Sequence, residues 1–439
     1  MTLLDPLLPA LARPWFDAIA LPLVTRTYMP LSRAWTAAAG AAGDVDQFAR
    51  ETGLTPTALG LARAVNNVKR LNDRYRDAVA AWDEAFLAPE SPSAKDLAKA
   101  ERSRGRTAAR FMSGRRLFLP WFRQLPPVAW DIPSPAEVAE SHGPRLAALE
   151  TAYAALPLTP IAKTHALENE RVRTYWIRFR SPVLGDTVTA RVIEPTDAID
   201  PPTVIMLHGI AVEMEMWPQY PDPLDTLLDE GIRIVRPEGP WHGRRMIKGC
   251  YGGEPIMARA PEGMLTCLQA WSAEVTTMMN WARDQGSARV AVAGVSLGAL
   301  TSQMIATVCG TWERPLRPDA AFLVTTTGRT LDVVFAGSLA RGIGLPERLE
   351  NAGWDRATLE QWLPLLQPSS PPVMGPENVV MVLGDADDLT PYAGGLELAR
   401  QWSVPADNLF IRHQGHFSAA LGLTPDPAPI TRLGTLLRR

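Results

Sequence analysis

Three residues of the 439-residue chain have the types and settings that nucleophilic chemistry requires: Ser296, Asp387 and His416. Ser296 stands in Gly294-Val295-Ser296-Leu297-Gly298. The apolar run Val290-Ala291-Val292-Ala293 precedes it, and Ala299 to Met304, which reads as a helix, follows. G-x-S-x-G acquires meaning only in this strand–turn–helix setting. A serine on so sharp a turn occupies an unfavourable backbone region, and Gly294 and Gly298 leave room for the turn to close. The turn lifts the hydroxyl above the sheet and sets the Leu297 amide at the start of a helix, where it faces developing negative charge.

The partners of such a serine must also lie just beyond strand ends. His208-Gly209-Ile210 follows the apolar run Val204-Ile205-Met206-Leu207. A glycine there lets the backbone turn so that the Ile210 amide points toward Ser296, making with Leu297 a two-donor oxyanion hole. His208 is expected to hold this loop by hydrogen bonds. After Val379 to Leu383 comes Gly384-Asp385-Ala386-Asp387-Asp388-Leu389-Thr390-Pro391. The carboxylate spacing does not suit a calcium loop. Asp387 is the expected orienting acid and Asp388 the alternative. After Leu409-Phe410-Ile411 comes Arg412-His413-Gln414-Gly415-His416. His416, in the loop, is the expected general base, and His413, near the strand, is expected to pack there. The chain order serine, acid, histidine distinguishes one serine-triad fold from the others.

The elements that position these residues form a pattern. Arg171 to Arg180 and Thr187 to Glu194 alternate as an antiparallel pair of strands. All-apolar runs follow at Val204 to Leu207, Ile232 to Val235, Val290 to Ala293, Ala321 to Val324, Val379 to Leu383 and Leu409 to Ile411, separated by helical segments. This is an α/β chain with a mainly parallel, helix-flanked sheet, and ligands bind such sheets beyond the carboxyl ends of the strands. Residues 328–372, with Trp354, Trp362 and Leu363-Pro364-Leu365-Leu366, read as helices inserted between two strands. They form either a lid or added core.

With Ser296, Asp387 and His416 in this order, the sequence resembles the α/β-hydrolase superfamily. Pro240-Trp241-His242-Gly243-Arg244-Arg245 followed by Tyr251-Gly252-Gly253-Glu254 is similar, more narrowly, to bacterial proteins related to abhydrolase-domain-containing protein 18. The resemblance covers residues from about Arg171 onward and implies an acyl-enzyme hydrolase. In that loop His242, Arg244 and Arg245 either hold a substrate carboxylate or phosphate or tie the loop to Glu238 or Glu254.

Residues 1–165 read as a helical N-terminal region before a hydrolase domain over 166–439. Asp44 caps a short helix, and Thr55-Pro56 opens a longer one whose stripe is Leu61, Val65, Val68, Leu71, Tyr75, Val79, Trp82 and Phe86. The stripe packs either within this region or on the main domain or a second subunit. A basic segment, Arg102 to Arg116, leads into Leu117-Phe118-Leu119-Pro120-Trp121-Phe122 and is read as a solvated face and a buried turn rather than a membrane or anion contact. The stretch from Pro126 to Pro135 runs along the next domain.

Composition bounds the function. With 46% hydrophobic and 21% charged residues the chain folds around a sizeable core. A net charge of −3 favours neither nucleic acid nor an anionic surface in general. Three scattered cysteines suggest no disulfide framework or zinc site and fit a reducing, cytoplasmic setting. Met1 to Asp5 lacks the features of a signal peptide, and no apolar run is long enough to span a bilayer. No cofactor or metal is expected, since G-x-G-x-x-G and clustered ligands are missing. The expected activity is hydrolysis of a small-molecule carboxylic ester or thioester on Ser296. Acyl transfer at the same residues, or a non-catalytic binding role, are the alternatives.

Overall fold

The computed structural model describes residues 8–212 and 222–439. The expectation drawn from Met1 to Asp5 falls outside them. Among the described residues ten strands form one sheet: β1 Ala162–Lys163, β2 Leu167–Glu168, β3 Val172–Arg180, β4 Thr187–Pro195, β5 Thr203–Leu207, β6 Arg233–Pro237, β7 Val290–Val295, β8 Ala320–Val324, β9 Val379–Gly384 and β10 Leu409–Arg412. Their order is β1-β3-β4-β6-β5-β7-β8-β9-β10, with β2 pairing β3. The β3–β4 and β4–β6 pairs are antiparallel, and everything from β6 through β5 and β7 to β10 is parallel. The sheet therefore begins as a hairpin and continues as crossovers, as the alternation followed by unbroken apolar runs predicts. The short strands β1 and β2, two residues each, carry no pattern that sequence reading can detect.

Among the described residues the N-terminal helices are α1 Leu8–Leu11, α2 Pro14–Leu23, α3 Met29–Ala41, α4 Val45–Thr52, α5 Leu61–Phe86, α6 Ala94–Ser113 and α7 Pro135–Ala147. The helices of the sheet region are α8 Asp225–Asp229, α9 Glu254–Ala258, α10 Glu262–Asp284, α11 Leu297–Val308, α12 Thr330–Phe335, α13 Ser338–Gly342, α14 Leu345–Asn351, α15 Arg356–Glu360, α16 Leu363–Leu366, α17 Tyr392–Gln401, α18 His416–Leu421 and α19 Ala428–Leu437. Trp271, Val275 and Met278 of α10, Ile305 of α11 and Leu398 of α17 cover one face of the sheet. Leu227 of α8 and Leu433 of α19 cover the other. Three layers result, and the carboxyl ends of the parallel strands share one edge.

Asp44 caps α4 as expected, its carboxylate accepting from the Gln47 amide. The long helix begins at Leu61, after Gly60 at φ +82°, rather than at Thr55-Pro56. Its stripe serves both packing alternatives. Leu61, Val65 and Val68 join Trp35, Phe48 and Phe111 in a core of the helical region. Trp82 and Phe86 pack edge-on against Trp176 of β3, at ring-centre distances of 5.0 and 5.3 Å. Both are fully buried, so truncating either to Ala costs about 3–5 kcal/mol. The basic segment presents Arg102, Arg106, Arg110 and Arg116 to solvent and leads into a turn where Phe118 is buried, as expected, while two of its arginines turn inward. Arg104 pairs with Glu101 at 2.8 Å, and the Arg115 guanidinium lies 4.2 Å from the Trp35 ring centre. The proline-rich stretch lies along the sheet region: Asp131 donates its amide to the Ala258 carbonyl, and the Trp354 indole donates to the Pro133 carbonyl.

Candidate active site

The strand-to-helix turn after β7 is strained where the sequence predicts. Ser296 lies at φ +56°, ψ −116°, a region that a non-glycine residue occupies only under constraint. Sterics on both sides impose it. A Cβ on Gly294 would collide with the backbone of Gly298, and one on Gly298 would collide with the carbonyl oxygen of Leu207 in β5. The Ser296 amide is pinned to the Val324 carbonyl at 2.9 Å. Strand β5 thus passes against the first turn of α11, and the loop after it reaches the serine: a Cβ on Gly209 would sit 3.5 Å from Ser296 Cβ. Among the described residues, the N–H groups of Ile210 and Leu297 have no backbone acceptor. They are the two donors expected to face an oxyanion.

His416 opens α18, and its Nδ1 lies 2.8 Å from Asp387 Oδ2. With Nδ1–H donating to the carboxylate, Nε2 is left as the basic nitrogen. Asp387 also accepts from the amides of Leu389 and Thr390, at 3.0 and 2.9 Å, and from the Thr390 hydroxyl at 2.8 Å. Burial alone would raise its pKa. The facing His416 and the Thr390 donors outweigh that and hold it below the usual aspartate value. Asp388 is exposed and accepts instead from the Ser338 hydroxyl at the start of α13. The geometry therefore brings Asp387, and not its neighbour, to the histidine.

Residues 204–429 match the model of the alpha/beta hydrolase family. The chain belongs to the alpha/beta hydrolase family. Solved structures similar to it include a cold-adapted esterase from an Arctic intertidal metagenomic library, with 17% identity, 61% of this chain and 96% of that one covered, and a TM-score of 0.39. Acetyl xylan esterase 1 from Thermoanaerobacterium sp. shares 15% identity over 66% of this chain and 96% of its own, with a TM-score of 0.43. Brefeldin A esterase, a bacterial homologue of human hormone-sensitive lipase, shares 16% over 71% of this chain and 90% of its own, with a TM-score of 0.41. A search of curated protein sequences finds no match.

In this member of the family a cavity of about 160 Å³ opens at Ser296. Ile210, Leu297, Leu300 and Thr390 border it beside the serine, and Ile256, Met257 and Met264 form another wall. The inserted segment after β8 supplies the rest through Leu331, Val334, Leu339, Ile343, Leu349, Leu359 and Leu366. Among the described residues that line it there is no charged side chain and no aromatic ring. Its polar members are Ser296 and the threonines 326, 327, 330 and 390.

Two of the proposed substrate contacts are placed elsewhere. His242 is fully buried, with Nδ1 2.9 Å from the Pro240 carbonyl and Nε2 accepting from the Ala211 amide at 3.2 Å. Arg244 lies 4.5 Å over the Trp82 ring of α5 and 3.6 Å from Glu238. Neither is among the described residues that line the cavity. They tie the loop, as does Arg245, which pairs with Glu274 at 2.7 Å and Asp186 at 2.9 Å. His208 has the expected bracing role: Nδ1 faces the Gly209 carbonyl at 2.7 Å, and Nε2 accepts from the Gly239 amide at 2.9 Å. Burial pushes its pKa down to about 4 and that of His242 well below the ordinary value. Two neutral imidazoles, with ring centres 4.5 Å apart, therefore hold the Gly209–Ala211 loop. His413 does not pack as expected. It is exposed and pairs with Asp385 at 3.0 Å.

Sequence reasoning missed Asp17 and Thr390. The Asp17 carboxylate of α2 accepts from the Phe417 amide at 2.6 Å and from the Ser418 amide at 3.3 Å, capping the helix that His416 begins. Nearby, the Gln414 side chain donates to the Ala12 carbonyl at 3.0 Å. No local signal links residues 400 apart. Thr390, in contrast, lies three residues after Asp387 and repeats the ordinary capping geometry of a hydroxyl near a carboxylate turn, so it was within reach.

Proposed function

We propose that this chain is a serine hydrolase of carboxylic esters or thioesters with an aliphatic acyl chain, working through an acyl-enzyme on Ser296. The observation that carries the reading is the convergence of Ser296, the Ile210 and Leu297 amides and the Thr390 edge of the Asp387–His416 pair on one aliphatic cavity. His416 Nε2 takes the proton as Ser296 Oγ attacks the acyl carbon, and Asp387 stabilises the imidazolium. The Ile210 and Leu297 N–H groups receive the oxyanion. Collapse breaks the ester bond, and His416 returns the proton to the leaving alcohol or thiol. Water then repeats the sequence and frees the acid. The aliphatic side chains that make up most of the described lining support an aliphatic acyl group, and the helices α12 to α16 act as its lid.

The narrower kinship with proteins related to abhydrolase-domain-containing protein 18 is part of this proposal. It rests on Pro240 to Arg245 and Tyr251 to Glu254, which brace the site rather than touch substrate. A cytoplasmic setting is proposed with it, consistent with Cys250, Cys267 and Cys309 being unpaired. Among the described residues no helix is long and apolar enough to cross a membrane. The test is hydrolysis of p-nitrophenyl esters of graded chain length by the wild type and Ser296→Ala. Turnover should rise with chain length until the cavity is filled, and Ser296→Ala should lose ~10⁴-fold or more in kcat. Equal turnover by the two proteins would refute the reading.

A further inference from the structure

Helix α2 presents an apolar face to solvent. Trp15, Ile19 and Leu23 follow at four-residue steps and are 50, 62 and 58% exposed. Three large apolar side chains on one side of a ten-residue helix are a patch rather than the scattered exposure of any surface. The patch borders the site. On its inner side α2 caps α18 through Asp17, and the residues after it touch the lid: a Cβ on Gly342 would lie 2.9 Å from Thr25 Cγ2. The same helix α13 sends Leu339 and Ala340 into the cavity. Arg13, Arg26 and Arg341 are exposed around it. Residues 8–28 contain one acidic side chain, Asp17, and it is turned inward onto α18.

We propose that this face, Trp15, Ile19 and Leu23 framed by Arg13, Arg26 and Arg341, docks on the surface of an anionic phospholipid bilayer and sets the cavity beside lipid. The purpose of the docking rests on the ester-hydrolase reading; its geometry does not. A short helix with an aromatic and aliphatic face and cationic flanks lies in the plane of the headgroups, its apolar side chains entering the acyl boundary. Each arginine near an anionic surface strengthens binding by about fivefold and loses that effect in salt. A second copy of the chain is a poorer occupant. A twofold contact through this patch would bring the arginines against their own counterparts, and three side chains fall well short of a stable interface.

The test is co-sedimentation of the full chain with vesicles of phosphatidylcholine alone and of equimolar phosphatidylcholine and phosphatidylglycerol. The wild type should bind the mixed vesicles at least tenfold more tightly and detach in high salt. Trp15→Ser, Ile19→Ser and Leu23→Ser together should lower binding by at least tenfold while hydrolysis of a water-soluble short-chain ester stays within twofold. Arg13→Glu with Arg26→Glu, which leaves the apolar face intact, should remove the preference for phosphatidylglycerol. Ser296→Ala should bind as the wild type does, so loss of the docking and loss of the catalytic reading are told apart. Wild-type protein that stays in the supernatant, triple-variant protein that binds equally well, or a self-association that the triple variant abolishes would overturn the proposal.

Discussion

Ser296 is held by residues close to it in sequence and by the neighbouring strand, whereas His416 depends on a carboxylate 400 residues away. On the serine side, Gly294, Gly298 and Leu207 confine the turn by contact of backbone with backbone. On the histidine side, Asp387 sets the ring, but the α18 helix that carries it starts on amides satisfied by Asp17. The serine half is thus a self-contained device of the sheet. The histidine half is completed by the helical N-terminal region. The difference gives that region a structural part: α2 spans from α13 to α18, so its loss would loosen the His416 half of the site and spare the other.

Substitutions that separate the halves test this. The largest effect is expected from Gly298→Ala. Its new methyl meets the Leu207 carbonyl, a backbone group that cannot swing aside, so the elbow must move; kcat/KM for a short-chain ester should fall by at least about 10²-fold. An active Gly298→Ala protein would mean that the elbow is not confined as described. Asp17→Ala should cost less. A lost cap is worth about 1 kcal/mol, which corresponds to a fall in kcat of about fivefold to tenfold if it is felt by His416. KM should change little, and Asp17→Asn should recover part of the rate. An unchanged kcat would confine Asp17 to packing.

Acid should act on the serine half through its buried histidines. His208 has a folded pKa of about 4 against an ordinary value near 6.5. Below 6.5 the unfolded chain therefore binds the proton that the folded chain refuses, so stability falls as pH drops from 6.5 toward 4. His208 alone should remove about 2 kcal/mol between pH 6.5 and 5. Urea unfolding at the two pH values would reveal it, and a flat profile would contradict the neutral bracing of the Gly209–Ala211 loop. The smallest effect is expected from Arg244→Ala. Activity should stay within about twofold, and stability should drop by about 1 kcal/mol as the stacking on Trp82 is lost. A large rise in KM would instead return Arg244 to the substrate.

The same contrast explains what the sequence reveals. The elbow, the oxyanion loop and the Asp387–His416 pair are legible because each lies within a few residues of a strand end, and G-x-S-x-G reports local steric demands. Residues 328–372 were legible as helices, and both readings of them find support: Leu331, Leu339, Leu349 and Leu359 line the cavity, while Trp354 and Trp362 are buried in a core cluster. Arg244 and His242 stayed open in the sequence because a charged or polar side chain after a strand looks the same whether it faces a ligand or a neighbouring loop; Trp82, on which Arg244 lies, is 162 positions earlier. Asp17 was invisible for a related reason. An aspartate in a first helical turn reads as a local charge on its own helix, and only the fold brings it to another.

The most direct test of the account is labelling with a fluorophosphonate probe, followed by peptide mapping. The account predicts covalent phosphonylation on Ser296, abolished by Ser296→Ala and strongly slowed by His416→Ala. Folded wild-type protein that takes no label, or takes it at another residue, would contradict the assignment of Ser296 as an activated nucleophile.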